Sequence, residues 1–148
     1  YEIPLRLVGS EMCIRDSGVT IADDYAHHPT ELEATLRAAK EMDYKRVWAV
    51  FQPFTYTRTQ MLLDDFARVL QIADKVVMTE IMGSRERAED YAVRTKDLAA
   101  KIPGSVWYDT FDEVVDHVMK NARPGDLVIT LGCGDIYKAA KKMVAWEA

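Results

Sequence analysis

Short runs of apolar and β-branched residues alternate along this chain with segments of helical periodicity, and this alternation limits the possible folds most. Runs such as Arg46–Phe51, Lys75–Glu80 and Leu127–Leu131 are typical of buried strands. Between these runs, apolar residues recur every three or four positions, as they do on one face of a helix. Strands that alternate with helices predict a parallel sheet covered on both faces. We therefore expect an α/β domain with a single doubly wound, mostly parallel sheet.

The same pattern predicts the remaining elements and some of their ends. Further strands are expected at Val19–Asp23 and Ser105–Tyr108, and helices at Pro29–Met42, Thr59–Ala73, Arg94–Lys101, Thr110–Ala122 and from after Gly134 to about Ala145. Thr30 and Glu33 have the spacing of a capping box in the first helix, and Thr110 and Glu113 have it in another. Thr57 or Thr59 is expected to cap the second helix.

Length and composition predict one globular domain and exclude some functions. The chain has 148 residues, of which 49% are hydrophobic and 29% charged, with a net charge of −5. This acidic balance argues against general nucleic-acid binding, which needs a basic surface. The sequence has no apolar run long enough to span a membrane. Its two cysteines lie far apart and without metal-ligand spacing, so a reducing cytoplasm is the expected location.

The first residues do not follow the pattern of the rest. Residues 1–17 have no sustained period and no helix caps, so we interpret them as a leader that is non-native or disordered. The folded domain is expected to comprise residues 18–148.

In doubly wound sheets, ligands bind beyond the carboxyl ends of the strands, so the loop after the first predicted strand is a candidate site. It contains Asp23, Asp24, His27 and His28 within six residues. Carboxylates can accept hydrogen bonds from ribose hydroxyls or hold a metal, and a neutral imidazole can orient an amine or accept its proton. Alternatively, one of these residues caps the following helix and the rest are solvated.

Two further loops at the same edge carry charge. Arg58 lies in the first turn of a predicted helix, where an arginine beside free backbone N–H groups would bind a carboxylate or phosphate. Pairing of Arg58 with a surface carboxylate is the alternative. The charged loop Met82–Asp90 is interpreted as a solvated face, although it could close over a ligand. The sequence has no P-loop for ATP phosphates and no zinc-ligand spacing, so no metal site is predicted.

Three strings together are similar to a known family. DDYAHHPTE, FQPFTYTRT and LGCGDIYK resemble the C-terminal domain of the Mur ligases, and the resemblance extends from Gly18 to about Val144. It implies a Rossmann-like domain of an ATP-dependent ligase, closest to the branch that adds L-alanine to UDP-N-acetylmuramate in peptidoglycan synthesis through an acyl phosphate. ATP and Mg²⁺ would serve the full-length enzyme. The resemblance implies that these 148 residues include neither the N-terminal UDP-binding domain nor the central ATP-binding domain, so the chain alone is expected to be inactive.

The resemblance also implies roles for individual residues. Asp23 and Asp24 match an acidic pair that is expected to bind the nucleotide, with one of the two on the ATP ribose. Tyr25 and His27 match positions that line the alanine site, and Arg58 matches the arginine that pairs with the alanine carboxylate. His27 and Arg58 are thus the expected catalytic residues, and Tyr56 is expected to pack under the pocket or line it.

The chain departs from the family pattern at two places in the second string. Phe54 stands where many members have histidine, and Thr55 stands where some have arginine. These departures remove one polar and one cationic contact, so they affect how the amino acid is bound in the pocket.

Three alternatives remain at this point. A murein-peptide ligase, which recycles a tripeptide, shares the HHPT string, but Tyr25 and Glu31 favour the alanine branch. A phosphoacceptor signalling domain would need an aspartate after the third strand and a lysine after the fifth, and this sequence has neither. A non-catalytic α/β binding module is the third alternative.

Overall fold

The computed structural model describes residues 11–14 and 17–147, and these form one six-stranded sheet with helices on both faces. The strands are β1 (Glu11–Ile14), β2 (Thr20–Asp24), β3 (Arg46–Phe51), β4 (Lys75–Thr79), β5 (Val106–Tyr108) and β6 (Asp126–Leu131). The helices are α1 (Pro29–Glu41), α2 (Tyr56–Met61), α3 (Leu63–Leu70), α4 (Thr95–Ala99), α5 (Phe111–Asn121) and α6 (Tyr137–Val144). A short 3-10 helix covers Ala88–Asp90.

The order of the strands across the sheet is β1-β2-β6-β3-β4-β5. β2 to β6 are all parallel, and β1 is antiparallel to β2. The predicted doubly wound, mostly parallel α/β fold is therefore confirmed. Asp24 and Phe51 both pair with Leu131, so the loops after β2, β3 and β6 leave the sheet side by side.

Two apolar cores cover the two faces of the sheet. On one face, α1, α3 and α4 contribute buried residues such as Leu36, Phe66 and Leu98. On the other face, α5 and α6 pack Val118 and Met143 against the strands. The central strands β3 and β6 are almost wholly buried, which explains why they read as continuous apolar runs rather than as alternating ones.

Glu11–Ile14 lies inside the segment that the sequence predicted to be a non-native or disordered leader. Here it forms the edge strand β1. An edge strand joins a sheet through its backbone, so a segment without side-chain periodicity can occupy this place. Residues 1–10 and 15–16 of the predicted leader lie outside the described residues.

The first helix begins at Pro29 as predicted, but its predicted capping box and the predicted extent of the second helix are wrong. The first helix is capped by His28 and Glu31 instead of Thr30 and Glu33, because Pro29 is its first residue and the cap must precede it. The predicted helix Thr59–Ala73 is two helices, α2 and α3, which meet at Leu62.

The predicted cap of the second helix is also wrong, whereas that of α5 is right. Thr55 caps α2, where Thr57 or Thr59 was expected. The cap of α5 by Thr110 is confirmed, since its hydroxyl accepts a hydrogen bond from the Glu113 amide.

Candidate functional site

The loop after β2 is shaped by its two aspartates. Asp24 accepts hydrogen bonds from the Ala26 amide (2.9 Å) and the Thr35 hydroxyl (3.0 Å). Asp23 accepts a hydrogen bond of 2.6 Å from the Thr130 hydroxyl on β6. Asp24 thus ties the loop and α1 to the end of β2, and Asp23 ties β2 to β6. Each carboxylate is half-buried. Their predicted contact with an ATP ribose stays a prediction.

His27 is held in this loop by its own chain and by Glu31. Its Nδ1 atom lies 3.1 Å from the Tyr25 carbonyl oxygen and 3.5 Å from Glu31 Oε1. The same Glu31 oxygen accepts hydrogen bonds from the amides of His28 (3.1 Å) and His27 (3.3 Å). The bond from the His28 amide holds the pKa of Glu31 below its usual range, although burial partly opposes this.

From the sequence, Glu31 was expected only to distinguish two branches of a family, and its contact with the start of α1 was missed. The signal was present, since a glutamate two residues after Pro29 occupies the third position of a helix that begins at that proline.

The rings of the first two loops meet at the sheet edge. The ring centroids of His27 and Phe54 are 6.4 Å apart, and those of His27 and Tyr25 are 5.8 Å apart. Tyr25 remains 67% exposed, so its ring is open to a ligand or another domain. The structure therefore brings the predicted residues Tyr25 and His27 together and places Phe54 beside them.

Arg58 lies in an open depression of about 370 Å³. This depression lies between the loop after β2 and helix α2, and it is lined by His28, Thr55, Thr57, Arg58, Met61 and Leu62. Within residues 17–147, the Arg58 guanidinium has no carboxylate within ion-pair distance. The predicted alternative, in which Arg58 pairs with a surface carboxylate, is therefore wrong for this part of the chain.

The charge of Arg58 also reaches Cys133 in the loop after β6. Burial raises the pKa of the Cys133 thiol, and the positive charge of Arg58 partly opposes that rise. The loops after β2, β3 and β6 therefore contribute to one region at the carboxyl edge.

The first backbone amides of α2 are not free, contrary to the prediction. Glu86 Oε1 accepts hydrogen bonds from the amides of Tyr56 (2.6 Å) and Thr57 (3.0 Å), and Oε2 accepts one from the Thr57 hydroxyl (2.5 Å). The bond from the Thr57 hydroxyl holds the pKa of Glu86 below its usual range. The interpretation of Met82–Asp90 as a solvated face is therefore wrong for Glu86.

Tyr56 is packed under the site. It is 7% exposed, and its ring stacks on that of Tyr91 with centroids 5.6 Å apart and an angle of 11° between the planes. The guanidinium carbon of Arg94 lies 5.5 Å from the centre of the Tyr56 ring. Of the two expected roles for Tyr56, packing is the one that its contacts describe.

Gln52, at the end of β3, carries a buried acceptor that the sequence analysis did not single out. Its Oε1 atom is a buried side-chain polar atom without a hydrogen-bond partner among the described residues. Its Nε2 atom donates to the Glu80 carbonyl at 3.4 Å. An unpaired buried acceptor is costly, and donors of a ligand at this edge could offset that cost.

The described residues include no group of three or more His, Cys, Asp or Glu side chains that could hold a metal ion. No helix among them is both long and apolar enough to cross a bilayer.

The fold and the site define a class: a doubly wound α/β domain whose carboxyl edge gathers histidines, aromatic rings and Arg58, which has no ion pair among the described residues. The model of the family "Mur ligase, glutamate ligase domain" matches residues 11–134. This chain therefore belongs to the Mur ligase family as its C-terminal domain.

Relatives by sequence are UDP-N-acetylmuramate–L-alanine ligases. The protein of Acetivibrio thermocellus is 43% identical over 140 residues, which cover 88% of this chain and 30% of that protein. The protein of Lachnospira eligens is 44% identical over 132 residues, which cover 86% of this chain and 28% of that protein. The chain thus spans less than a third of the length of these relatives.

Solved structures agree on the fold. The UDP-N-acetylmuramate–alanine ligase of Thermotoga maritima matches with a TM-score of 0.72 at 23% identity, over 91% of this chain and 28% of that one. A murein peptide ligase from Psychrobacter arcticus matches with a TM-score of 0.71 at 22% identity, over 95% of this chain and 29% of that one. Because the two scores are nearly equal, the fold does not separate the alanine branch from the tripeptide branch.

Proposed function

We propose that this chain is the amino-acid-binding domain of a ligase that joins L-alanine to UDP-N-acetylmuramate in the cytoplasm, at the expense of ATP. The observation that carries the proposal is Arg58, whose guanidinium lies in an open depression and has no ion pair among the described residues. A guanidinium binds a carboxylate through two parallel charge-assisted hydrogen bonds. Because the chain is 43% identical to an alanine ligase, we infer that the carboxylate bound by Arg58 is that of L-alanine.

The other residues of the site have complementary roles in this proposal. His27, held by Glu31 and the Tyr25 carbonyl, would orient the incoming amine and accept its proton as the amide forms. Tyr25 would cover the amino acid from the exposed side, and Tyr56 would support the first turn of α2 beneath it. His27 and Arg58 would thus be the catalytic residues.

ATP would bind where this domain meets the rest of the ligase, and it would supply the phosphoryl group that activates the muramyl carboxylate as an acyl phosphate. Asp23 and Asp24 would hold the ribose hydroxyls. Their residue types fit this role, since an ionised carboxylate has about four acceptor positions and both lie at the sheet edge. Mg²⁺ would bind with the ATP phosphates in other parts of the ligase. Because this chain lacks those parts, the isolated chain is expected to be inactive.

The test is a chimera in which residues 11–148, which include β1, replace the matching segment of the Acetivibrio thermocellus ligase. Phosphate release would be measured with ATP, UDP-N-acetylmuramate and either L-alanine, another amino acid or the tripeptide. Alanine-dependent release is expected. A folded chimera that ignores alanine and uses the tripeptide would move the proposal to the murein-peptide branch.

Arg58→Ala tests the site within the same chimera. Loss of a charge-assisted contact of about 1.5–3 kcal/mol would raise the KM for alanine by about 10- to 150-fold. Arg68→Ala is the matched control, because Arg68 is an exposed arginine of α3 that pairs with Glu33. An equal KM in the two variants would refute the assignment of Arg58.

A further inference from the structure

A carboxylate from a distant part of the chain caps the N-terminus of α2, the helix that carries Arg58. Glu86 binds the amides of Tyr56 and Thr57, which lie 30 and 29 residues earlier in the chain. Caps of helix N-termini are usually supplied by the residue that immediately precedes the helix. Here Thr55 accepts a hydrogen bond from the Arg58 amide, and Glu86 adds the bonds to the two amides before it.

The segment that contains Glu86 is itself fixed against α2. Arg94 donates hydrogen bonds to the carbonyl oxygens of Tyr91, Val93 and Ala88, at 2.8, 2.7 and 3.0 Å. The same guanidinium lies over the ring of Tyr56. The loop after β4 therefore contacts α2 through the Glu86 carboxylate, the stacked ring of Tyr91 and the Arg94 guanidinium, and these contacts hold the start of α2 in place.

The backbone at the start of α2 needs such a support. Thr55 has φ 65° and ψ 145°, a conformation that costs a β-branched residue about 1–3 kcal/mol and persists only when neighbouring contacts impose it. The Thr55 amide donates to the Met82 carbonyl at 2.8 Å, and the Met82 amide donates to the Pro53 carbonyl at 2.9 Å. Met82 and Glu86 thus hold the strained turn from both sides.

α2 has only six residues, so it cannot keep its direction by helical hydrogen bonds alone. The direction of the Arg58 side chain depends on the first turn of α2. In addition, Glu86 already accepts the hydrogen bonds of the amides in this turn. A ligand carboxylate would therefore bind the Arg58 guanidinium and not the N-terminus of the helix.

We propose that Glu86 is a positioning residue for Arg58: it holds the first turn of α2 so that the guanidinium meets the carboxylate of the amino acid. This inference rests on the proposed function, in which Arg58 binds that carboxylate. Glu86 acts through Arg58 and does not itself touch the substrate.

The test uses the chimera, with Glu86→Ala and Glu86→Gln compared with Glu89→Ala. Glu89 is the matched control, because it lies in the same loop and its carboxylate pairs with Arg87 on the surface. Glu86→Ala is expected to raise the KM for alanine about tenfold, while the KM for ATP changes less than about twofold. Glu86→Gln keeps an oxygen for the two amides, so its KM should lie between those of the wild type and Glu86→Ala. Glu89→Ala should resemble the wild type.

A double-substitution cycle separates positioning from a general loss of structure. If Glu86 acts through Arg58, Glu86→Ala should raise the KM for alanine less than about twofold further when Arg58 is already alanine. Additive effects would overturn the inference. So would an equal rise in the KM for ATP, or equal values for Glu86→Ala and Glu89→Ala. If Glu86→Ala does not fold, as judged by circular dichroism, Glu86→Gln carries the comparison.

The two proposals fail in different ways. An unsubstituted chimera that folds and shows no alanine dependence would refute the proposed function, and the inference would fall with it. An alanine-dependent chimera that is sensitive to Arg58→Ala but not to Glu86→Ala would refute the inference alone.

Discussion

Arg46 and Asp126 form an ion pair of 2.7 Å in which the aspartate side chain is only 2% exposed. Asp126 also accepts hydrogen bonds from the Trp48 indole N–H (3.0 Å) and the Arg123 amide (2.9 Å). Burial alone would raise the pKa of Asp126, but the bonds from Arg46, Arg123 and Trp48 outweigh it and lower that pKa. One buried carboxylate thus joins the start of β3 to the start of β6, at the edge opposite the site.

Asp126→Asn should lower the free energy of unfolding by about 2 kcal/mol, because the buried carboxylate would no longer accept charge-assisted hydrogen bonds from the half-buried Arg46. Urea unfolding at pH 7 would measure this. Asp116→Asn is the control, since Asp116 forms an exposed pair with Lys120, and an exposed pair contributes at most about 1 kcal/mol. Similar losses in the two variants would contradict the role given to Asp126.

The stability of the domain should fall as the pH falls below about 6.5 because of His117. Burial lowers the pKa of His117, whose Nδ1 atom lies 3.0 Å from the Tyr108 hydroxyl. The folded state therefore disfavours the charged imidazole, so the contribution of His117 is fully present above the unfolded pKa of about 6.5. It is lost as the pH falls from that value through the lowered folded pKa.

Urea midpoints measured at half-unit steps of pH would show this loss. His117→Gln is expected to remove that part of the pH dependence, whereas His27→Gln, which removes another imidazole, should retain it. A slope that persists unchanged in His117→Gln would refute the attribution.

Thr55→Gly should stabilise the chain by about 1 kcal/mol. Glycine adopts a positive φ without strain, and this gain of about 1–3 kcal/mol exceeds the loss of the cap and the entropy of the glycine. Thr55→Ala keeps the strain and loses the hydrogen bond to the Arg58 amide, so it should destabilise. Thermal unfolding of both variants gives the answer, and a glycine variant as unstable as the alanine variant would mean that Thr55 is unstrained.

His28→Ala should lower the stability by about 0.5–1 kcal/mol, because His28 Nδ1 accepts a hydrogen bond from the Thr30 amide at the start of α1. His28→Asn can supply another acceptor and should lose less. Thr30→Ala is the control and should change little, since Thr30 follows the cap. Urea unfolding would decide, and a larger loss in Thr30→Ala would restore the capping box predicted from the sequence.

The site shows how far sequence reasoning reaches. The position of Asp23, Tyr25, His27 and Arg58 at one edge could be predicted from the sequence, because each lies at or after the end of a recognisable buried strand. Glu86 could not be found in this way. Its partners are backbone amides 29 and 30 residues earlier, and no sequence spacing records a contact of that kind.

The sequence by itself determined the α/β alternation, the parallel sheet and the edge at which the polar residues gather. These follow from the periodicity of apolar residues, which is a local property of the chain. Only the tertiary structure decided that α2 and α3 are separate, that Thr55 is strained and that Glu86 accepts hydrogen bonds from the two amides that precede Arg58. These features depend on which loops meet across the sheet, and that meeting depends on packing between segments far apart in sequence.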